Sequence, residues 1–161
     1  MNRVAKRVQD QLTALGLPQR LDPQADAGAQ IAQVLAQLDG RTARAVLQPC
    51  GARCCSESVR RQARALYKQE PGDLPSFLQR LNAQGIGGGQ LHLEGKRMIG
   101  VYTQCYCPVA RETPGMSARF CACSEGWFAA LFQAALEQPV RVRARETLLG
   151  GAAQCTFEIE L

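Results

Sequence analysis

No stretch of the 161 residues reaches the roughly 18 consecutive apolar positions that a membrane-crossing helix needs, so no membrane partner is expected. Histidine is almost missing. His92 is the only one, it sits between Leu91 and Leu93, and it reads as a strand residue. A Cys–His dyad therefore has a single candidate base. Aromatic residues make up 6%, and no stacking platform or DNA-binding motif is present, so nucleic acid is not expected despite a net charge of +5. The basic residues that recur at helical spacing, Arg60, Arg61, Arg64 and Lys68, read as a solvated helix face. The N-terminus "MNRVAKRVQDQLTALG" has early positive charge but neither an unbroken apolar region nor a small-residue cleavage site. It reads as a helix, which makes a cytoplasmic location the expectation.

Cysteine is what the chain has in excess. There are eight, and none forms the Cys-x-x-Cys of zinc knuckles. Seven fall in three tight groups: Cys50, Cys54 and Cys55 in "CGARCC", Cys105 and Cys107 in "CYCP", and Cys121 and Cys123 in "FCACSEGW". A chain of this length, 46% hydrophobic, can bury a core without disulfide staples. In a reducing compartment such groups read as ligands or reactive thiols and not as a disulfide framework.

Periodicity divides the chain. Up to about residue 84 it is helical: "VAKRVQDQLTALG" places Val4, Val8, Leu12 and Leu15 on one face, and "DPQADAGAQIAQVLAQLDG" carries Ile31, Val34, Leu35 and Leu38 inward and stops at Gly40. Ser56 caps a third helix and Asp73 or Ser76 a fourth. At "GIGGGQ" the period drops to two. No Gly-Lys-Ser/Thr follows these glycines and a strand does, so a phosphate loop is not the reading. A hairpin spans "QLHLEGKRMIGVY", and "SEGWFAALFQAALEQ" is an amphipathic helix. The end, "VRVRARETLL-GG-AAQCTFEIEL", predicts a hairpin about a two-residue Gly150-Gly151 turn, pairing Arg143 with Glu158, Arg141 with Glu160, Val142 with Ile159 and Ala144 with Phe157. Continued, that register sets Glu146 on the apolar face opposite Cys155. There it either reaches water or Arg145 at the sheet end, or serves as a metal ligand or acid–base group. The fold class is α+β: one domain over 1–161, with a helical half (1–84) packed on a ββαββ antiparallel sheet unit (85–161).

Cys121 and Cys123 lead into the Trp127 helix, where free N–H groups favour thiolate. A soft thiolate set with one carboxylate suits zinc, with an iron–sulfur cluster as the alternative. The stretch 120–161 resembles the 4-vinyl-reductase-type small-molecule-binding domain, known from bacteriochlorophyll biosynthesis proteins and from sensor modules of aromatic-responsive transcription activators. The shared positions are Cys123, Gly126-Trp127, Pro139-Val140, Glu146, Gly150 and Cys155-Thr156-Phe157. The resemblance implies a metal held by Cys123, Glu146 and Cys155 beside an apolar cavity. The family's other hairpin cysteine would fall near Leu149, where this chain has none; Cys121 supplies the fourth ligand, or Cys105 or Cys107 does, or the site stays open. Tyr102, Trp127 and Phe128 are the candidate cavity lining. The run "CxCP" followed by "FCxCSxGW" is similar to cysteine-rich bacterial families related to thiazoline-carboxylate hydrolases. That implies a second reading, a cysteine- or metal-dependent hydrolase of a small molecule with Cys54, Cys105 or Cys107 as nucleophile. A small-molecule ligand is the expected partner under either reading, and association into a homodimer is compatible with the sequence.

Overall fold

Each of the first five helices starts on a short polar side chain that accepts a hydrogen bond from a first-turn N–H. Asn2, Asp26, Asp39, Ser56 and Asp73 accept from Val4, Ala29, Thr42, Val59 and Ser76 respectively. In the computed structural model, which describes residues 2–161, these helices are α1 (Arg3–Ala14), α2 (Ala27–Gln37), α3 (Gly40–Cys54), α4 (Glu57–Tyr67) and α5 (Leu74–Ala83). Strands β1 (His92–Glu94) and β2 (Arg97–Tyr102), helices α6 (Pro108–Glu112) and α7 (Ala122–Leu136), and strands β3 (Arg141–Glu146) and β4 (Cys155–Glu160) follow. The fold is α+β, with the four strands in one antiparallel sheet ordered β1-β2-β4-β3.

Three local expectations change. Asp39-Gly40, read as a stop, is the cap and first residue of α3, a 15-residue helix that continues through Pro49. The stretch "DPQADAGAQIAQVLAQLDG" offers Asp22-Pro23 as a helix start, but α2 begins after Asp26. Leu15 lies just past the end of α1 and is exposed.

Helix α7, expected to be amphipathic, is instead apolar nearly all round and is accordingly interior. It packs against α3 and α4 on one side and the sheet on the other. Phe128, Leu131, Phe132 and Ala135 are fully enclosed. One apolar cluster joins α4, α5 and α7 to the inner sheet face through Phe77, Phe128, Phe132, Phe157 and Ile159. A second joins α1, α2 and α3 to the segment from Ala110 to Ala122. The helical segment before residue 84 is thus shared between two cores.

The terminal hairpin keeps the expected register over four pairs, Arg141↔Glu160 to Ala144↔Phe157. Beyond them two features differ. The connection is Thr147–Gln154, containing a short turn at Leu148–Gly150 whose Gly150 N–H donates to Thr147 Oγ1. And β3 bulges between Ala144 and Glu146, so Glu146 opposes Thr156 instead of Cys155. One extra residue moves a side chain to the other face of a sheet. The opposite charges also pair differently: Glu158 and Glu160 are held by Arg97 at 2.8 and 3.1 Å, and Glu158 by Arg145 at 2.7 Å.

Two glycines let α3 and α7 touch backbone to backbone. A methyl group on Gly51 would overlap the Cys123 carbonyl, and one on Gly126 would overlap the Gln48 carbonyl. Neither obstacle is a side chain that can swing aside. Gly126→Ala and Gly51→Ala are therefore each expected to cost about 3 kcal/mol or more in urea unfolding. Gly40→Ala, with open space at its Cβ, should be neutral or stabilising by about 0.5 kcal/mol. Equal effects at Gly40 and Gly126 would remove the argument for a backbone contact.

Candidate functional site

The close crossing of α3 and α7 opens a cavity of about 400 Å³ at the end of the crossing, beside the last residue of β2. The first turns of α1, α6 and α7 and the glycine turn at Gly85–Gly88 complete its wall. Tyr102, Tyr106 and Trp127 supply the aromatic surface, Val4 and Pro108 aliphatic surface, and Ser124, Cys54, Cys107 and Cys123 the few polar atoms. Tyr102 meets Tyr106 edge-on at 4.9 Å and stacks on Phe128 at 5.2 Å. Gly88, at φ +87°, admits the Tyr102 ring; a Cβ there would lie 2.7 Å from the ring's Cδ1. Burial drives the Tyr102 phenol pKa upward, so the ring faces the cavity as a neutral donor.

Tyr102 and Trp127 therefore stand where the sequence reading expects lining residues. Phe128 does not: it is enclosed behind Tyr102 and props the two cavity-facing rings, meeting Trp127 edge-on at 5.4 Å.

The eight cysteines are all free. Four of them meet in two pairs, each involving the start of α7. At the end of α3, the exposed Cys54 sulfur accepts a hydrogen bond from Arg7 Nη1 at 2.7 Å and has the half-buried Cys123 thiol as its neighbour. The neighbouring thiol first and the guanidinium second lower the Cys54 pKa, whereas the thiol neighbour, with burial added, raises that of Cys123. The second pair is Cys121 with Cys155, whose sulfur also accepts from the Leu148 N–H at 3.3 Å. Cys121 is raised by that partnership and by burial, and Cys155 is lowered by it. Cys107 precedes α6, lines the cavity and is raised by burial. Cys105 is half-buried with its Sγ 3.8 Å from the Cys107 carbonyl. Cys50 is pushed up to about 12 by burial, and its thiol donates to the Val46 carbonyl.

The expected metal set of Cys121, Cys123, Glu146 and Cys155 is not gathered in this arrangement. Cys121 neighbours Cys155, Cys123 neighbours Cys54, and the β3 bulge carries Glu146 to the outer face. There Glu146 accepts from Thr156 Oγ1 at 2.8 Å. Among the described residues no three His, Cys, Asp or Glu side chains stand close enough to share a metal ion. The residues present do not fit a four-ligand zinc site in these positions. His92 is also remote from the thiols: it is exposed on the outer face of the sheet, with Nε2 3.6 Å from Glu94. A Cys–His dyad is not formed.

Sequence reasoning missed Glu125. In α7's first turn it resembles a solvated acid, yet it is 2% exposed. Its carboxylate accepts from Arg44 Nε at 3.1 Å, Gln48 Nε2 at 2.9 Å and the Ala144 N–H at 3.0 Å. It thereby ties α7 to α3 and caps the free edge of β3, at the floor of a basin of about 500 Å³ bordered by Arg141 and Arg143.

No family model and no curated protein matches the chain. Among solved structures, the phenol-responsive sensory domain of the transcription activator PoxR, in its crystal structure with phenol, is similar to it. The TM-score is 0.50 at 16% identity, covering 88% of this chain and 76% of that one. At that identity the likeness concerns the fold.

The two glutamates give opposite expectations. Glu125→Ala strips three donors of a buried acceptor and should cost about 3 kcal/mol or more in urea unfolding. Glu146→Ala, at the exposed outer face, should stay within about 0.5 kcal/mol. A large loss at Glu146 with none at Glu125 would contradict the bulge.

Proposed function

We propose that the domain binds a small, flat, largely apolar molecule in the cavity bounded by Tyr102, Tyr106 and Trp127. The carrying observation is the cavity itself: about 400 Å³, walled mainly by ring and aliphatic surface, with few polar atoms to orient a ligand. Sites of this make-up gain affinity from removing apolar area from water and selectivity from the sparse polar groups. Here those are the Ser124 hydroxyl, the thiols and the backbone of the glycine turn. A simple aromatic alcohol or amine has that balance, with a face for Trp127 and Tyr102 and one polar atom for the rim.

The similar fold of a domain solved with phenol supports this reading by analogy only, since one fold hosts many functions. A thiol hydrolase has less support. Its nucleophile would be Cys54, the exposed cysteine of the cavity wall, and the neighbours of that sulfur are a guanidinium and another thiol, neither of them a general base.

Trp127 is the chain's one tryptophan and borders the cavity, so its emission reports occupancy directly. Titration with phenol, 4-methylphenol and indole is expected to give saturable quenching with one site, and the ligand should be recovered unchanged. Ser124→Phe, which projects a ring into the cavity from α7's first turn, should weaken binding by about tenfold or more while circular dichroism and melting stay native. Saturation unaltered by Ser124→Phe would place the ligand elsewhere. No saturable response to any small aromatic would sink the proposal, and conversion of the ligand would favour the hydrolase.

A further inference from the structure

The Cys54 and Cys123 thiols are neighbours because Gly51 and Gly126 let α3 and α7 cross at backbone contact, one turn from each sulfur. The two are unequal. Cys54 is the last residue of α3, is exposed, and has a guanidinium nitrogen 2.7 Å from its sulfur. Cys123 is half-buried in the first turn of α7 and lines the same cavity wall as Cys54. An accessible sulfur beside a cation, with a second thiol next to it on the same wall, is the arrangement of an attacking and a resolving cysteine. No other cysteine here has all three parts. Cys121 and Cys155 are neighbours but are 9% and 6% exposed, and beside the Cys155 sulfur stand the Cys121 thiol and the Leu148 amide, with no cation. Cys55 lies beside Arg60 but is enclosed, and Cys50 is enclosed and bonded to a carbonyl.

We propose that Cys54 and Cys123 form a peroxide-reactive dithiol that closes into a disulfide across the cavity wall. The Cys54 sulfur attacks the terminal oxygen of a hydroperoxide. An S–O bond forms as the O–O bond breaks, leaving Cys54 sulfenic acid and an alcohol, or water when the oxidant is hydrogen peroxide. The Cys123 sulfur then attacks the Cys54 sulfur, its thiol proton leaves with the hydroxyl as water, and the S–S bond forms. The two thiols supply the two electrons that reduce the peroxide. The bond would link the C-terminus of α3 to the first turn of α7, and because both sulfurs border the cavity, it would alter the wall facing any ligand. Bond formation does not depend on what the cavity binds.

The full-length reduced protein, treated with one equivalent of hydrogen peroxide, quenched with acid, alkylated and mapped by mass spectrometry, provides the test. One bridge, Cys54–Cys123, is expected, with the other six thiols alkylated. Cys123→Ser should leave a dimedone-trappable sulfenic acid on Cys54. Cys54→Ser, an exposed change that leaves the core intact, should abolish consumption of the first equivalent. Arg7→Met should slow the reaction several-fold without preventing it. A bridge between Cys121 and Cys155 or between Cys54 and Cys55, or peroxide consumption unchanged in Cys54→Ser, would overturn the proposal. A native melting profile for Cys54→Ser excludes unfolding as the cause of lost reactivity.

Discussion

The contact on which the rest of the arrangement hangs is the crossing of α3 and α7 at Gly51 and Gly126. Helices normally pack 8–10 Å apart, spaced by side chains. Here two positions without Cβ atoms let backbone carbonyls of each helix lie on the other. Glycine inside a helix costs up to about 1 kcal/mol relative to alanine, so two such positions must be offset by what the crossing brings together. It brings three things. Glu125 reaches Arg44 and Gln48, and through Ala144 it reaches the sheet edge. Cys123 reaches Cys54. And the two apolar clusters, one built on α4 and α5 and the other on α1 to α3, are held as one body by the junction.

The cavity follows from the same geometry. With α3 and α7 pressed together, the end of α3 and the first turn of α7 form one wall, and the ring of Tyr102 has to lie flat against Phe128 to leave room. Gly88 removes the remaining obstruction on the opposite side. Aromatic rings fixed in this way lose little conformational freedom when a ligand arrives, which favours binding of a small apolar molecule. The thiols on the wall contribute as small hydrophobes as well as chemical groups, since a cysteine sulfur is only weakly polar. An apolar cavity and a reactive thiol are therefore compatible features of one wall.

Elements with strong local signals are legible in the sequence. Alternating Arg and Glu opposite alternating Val, Phe and Ile allow one register for the last hairpin, and four of its pairs follow it. The bulge is only half legible: the successive charges Arg145-Glu146 break the alternation of "VRVRA", but that break fits a strand end or a buried acid as well as a displaced strand on which both residues face water. Alternation alone therefore puts Glu146 on the wrong side. Helix α3 is hidden by two residues that usually punctuate helices. Gly40 falls after an aspartate that proves to be a cap, and Pro49 forgoes one hydrogen bond within a helix otherwise held by α7. Tertiary packing overrides local propensity there.

The cysteines show the limit most clearly. Their grouping along the chain suggests that near neighbours, Cys121 with Cys123 and Cys105 with Cys107, act together. A Cys-x-Cys pair at the start of a helix does the opposite. Successive helical positions turn by about 100°, so side chains two apart point to different faces and two thiols so spaced serve different neighbours. Cys121 turns to the start of β4 and Cys123 to the end of α3, so the start of α7 carries a thiol contact to each of the elements it joins. The spacing that makes a shared metal attractive on paper is thus a spacing that divides the pair between two junctions. Each partner is distant in the chain: Cys155 lies 34 positions after Cys121, and Cys54 lies 69 positions before Cys123, on the helix that local signals conceal.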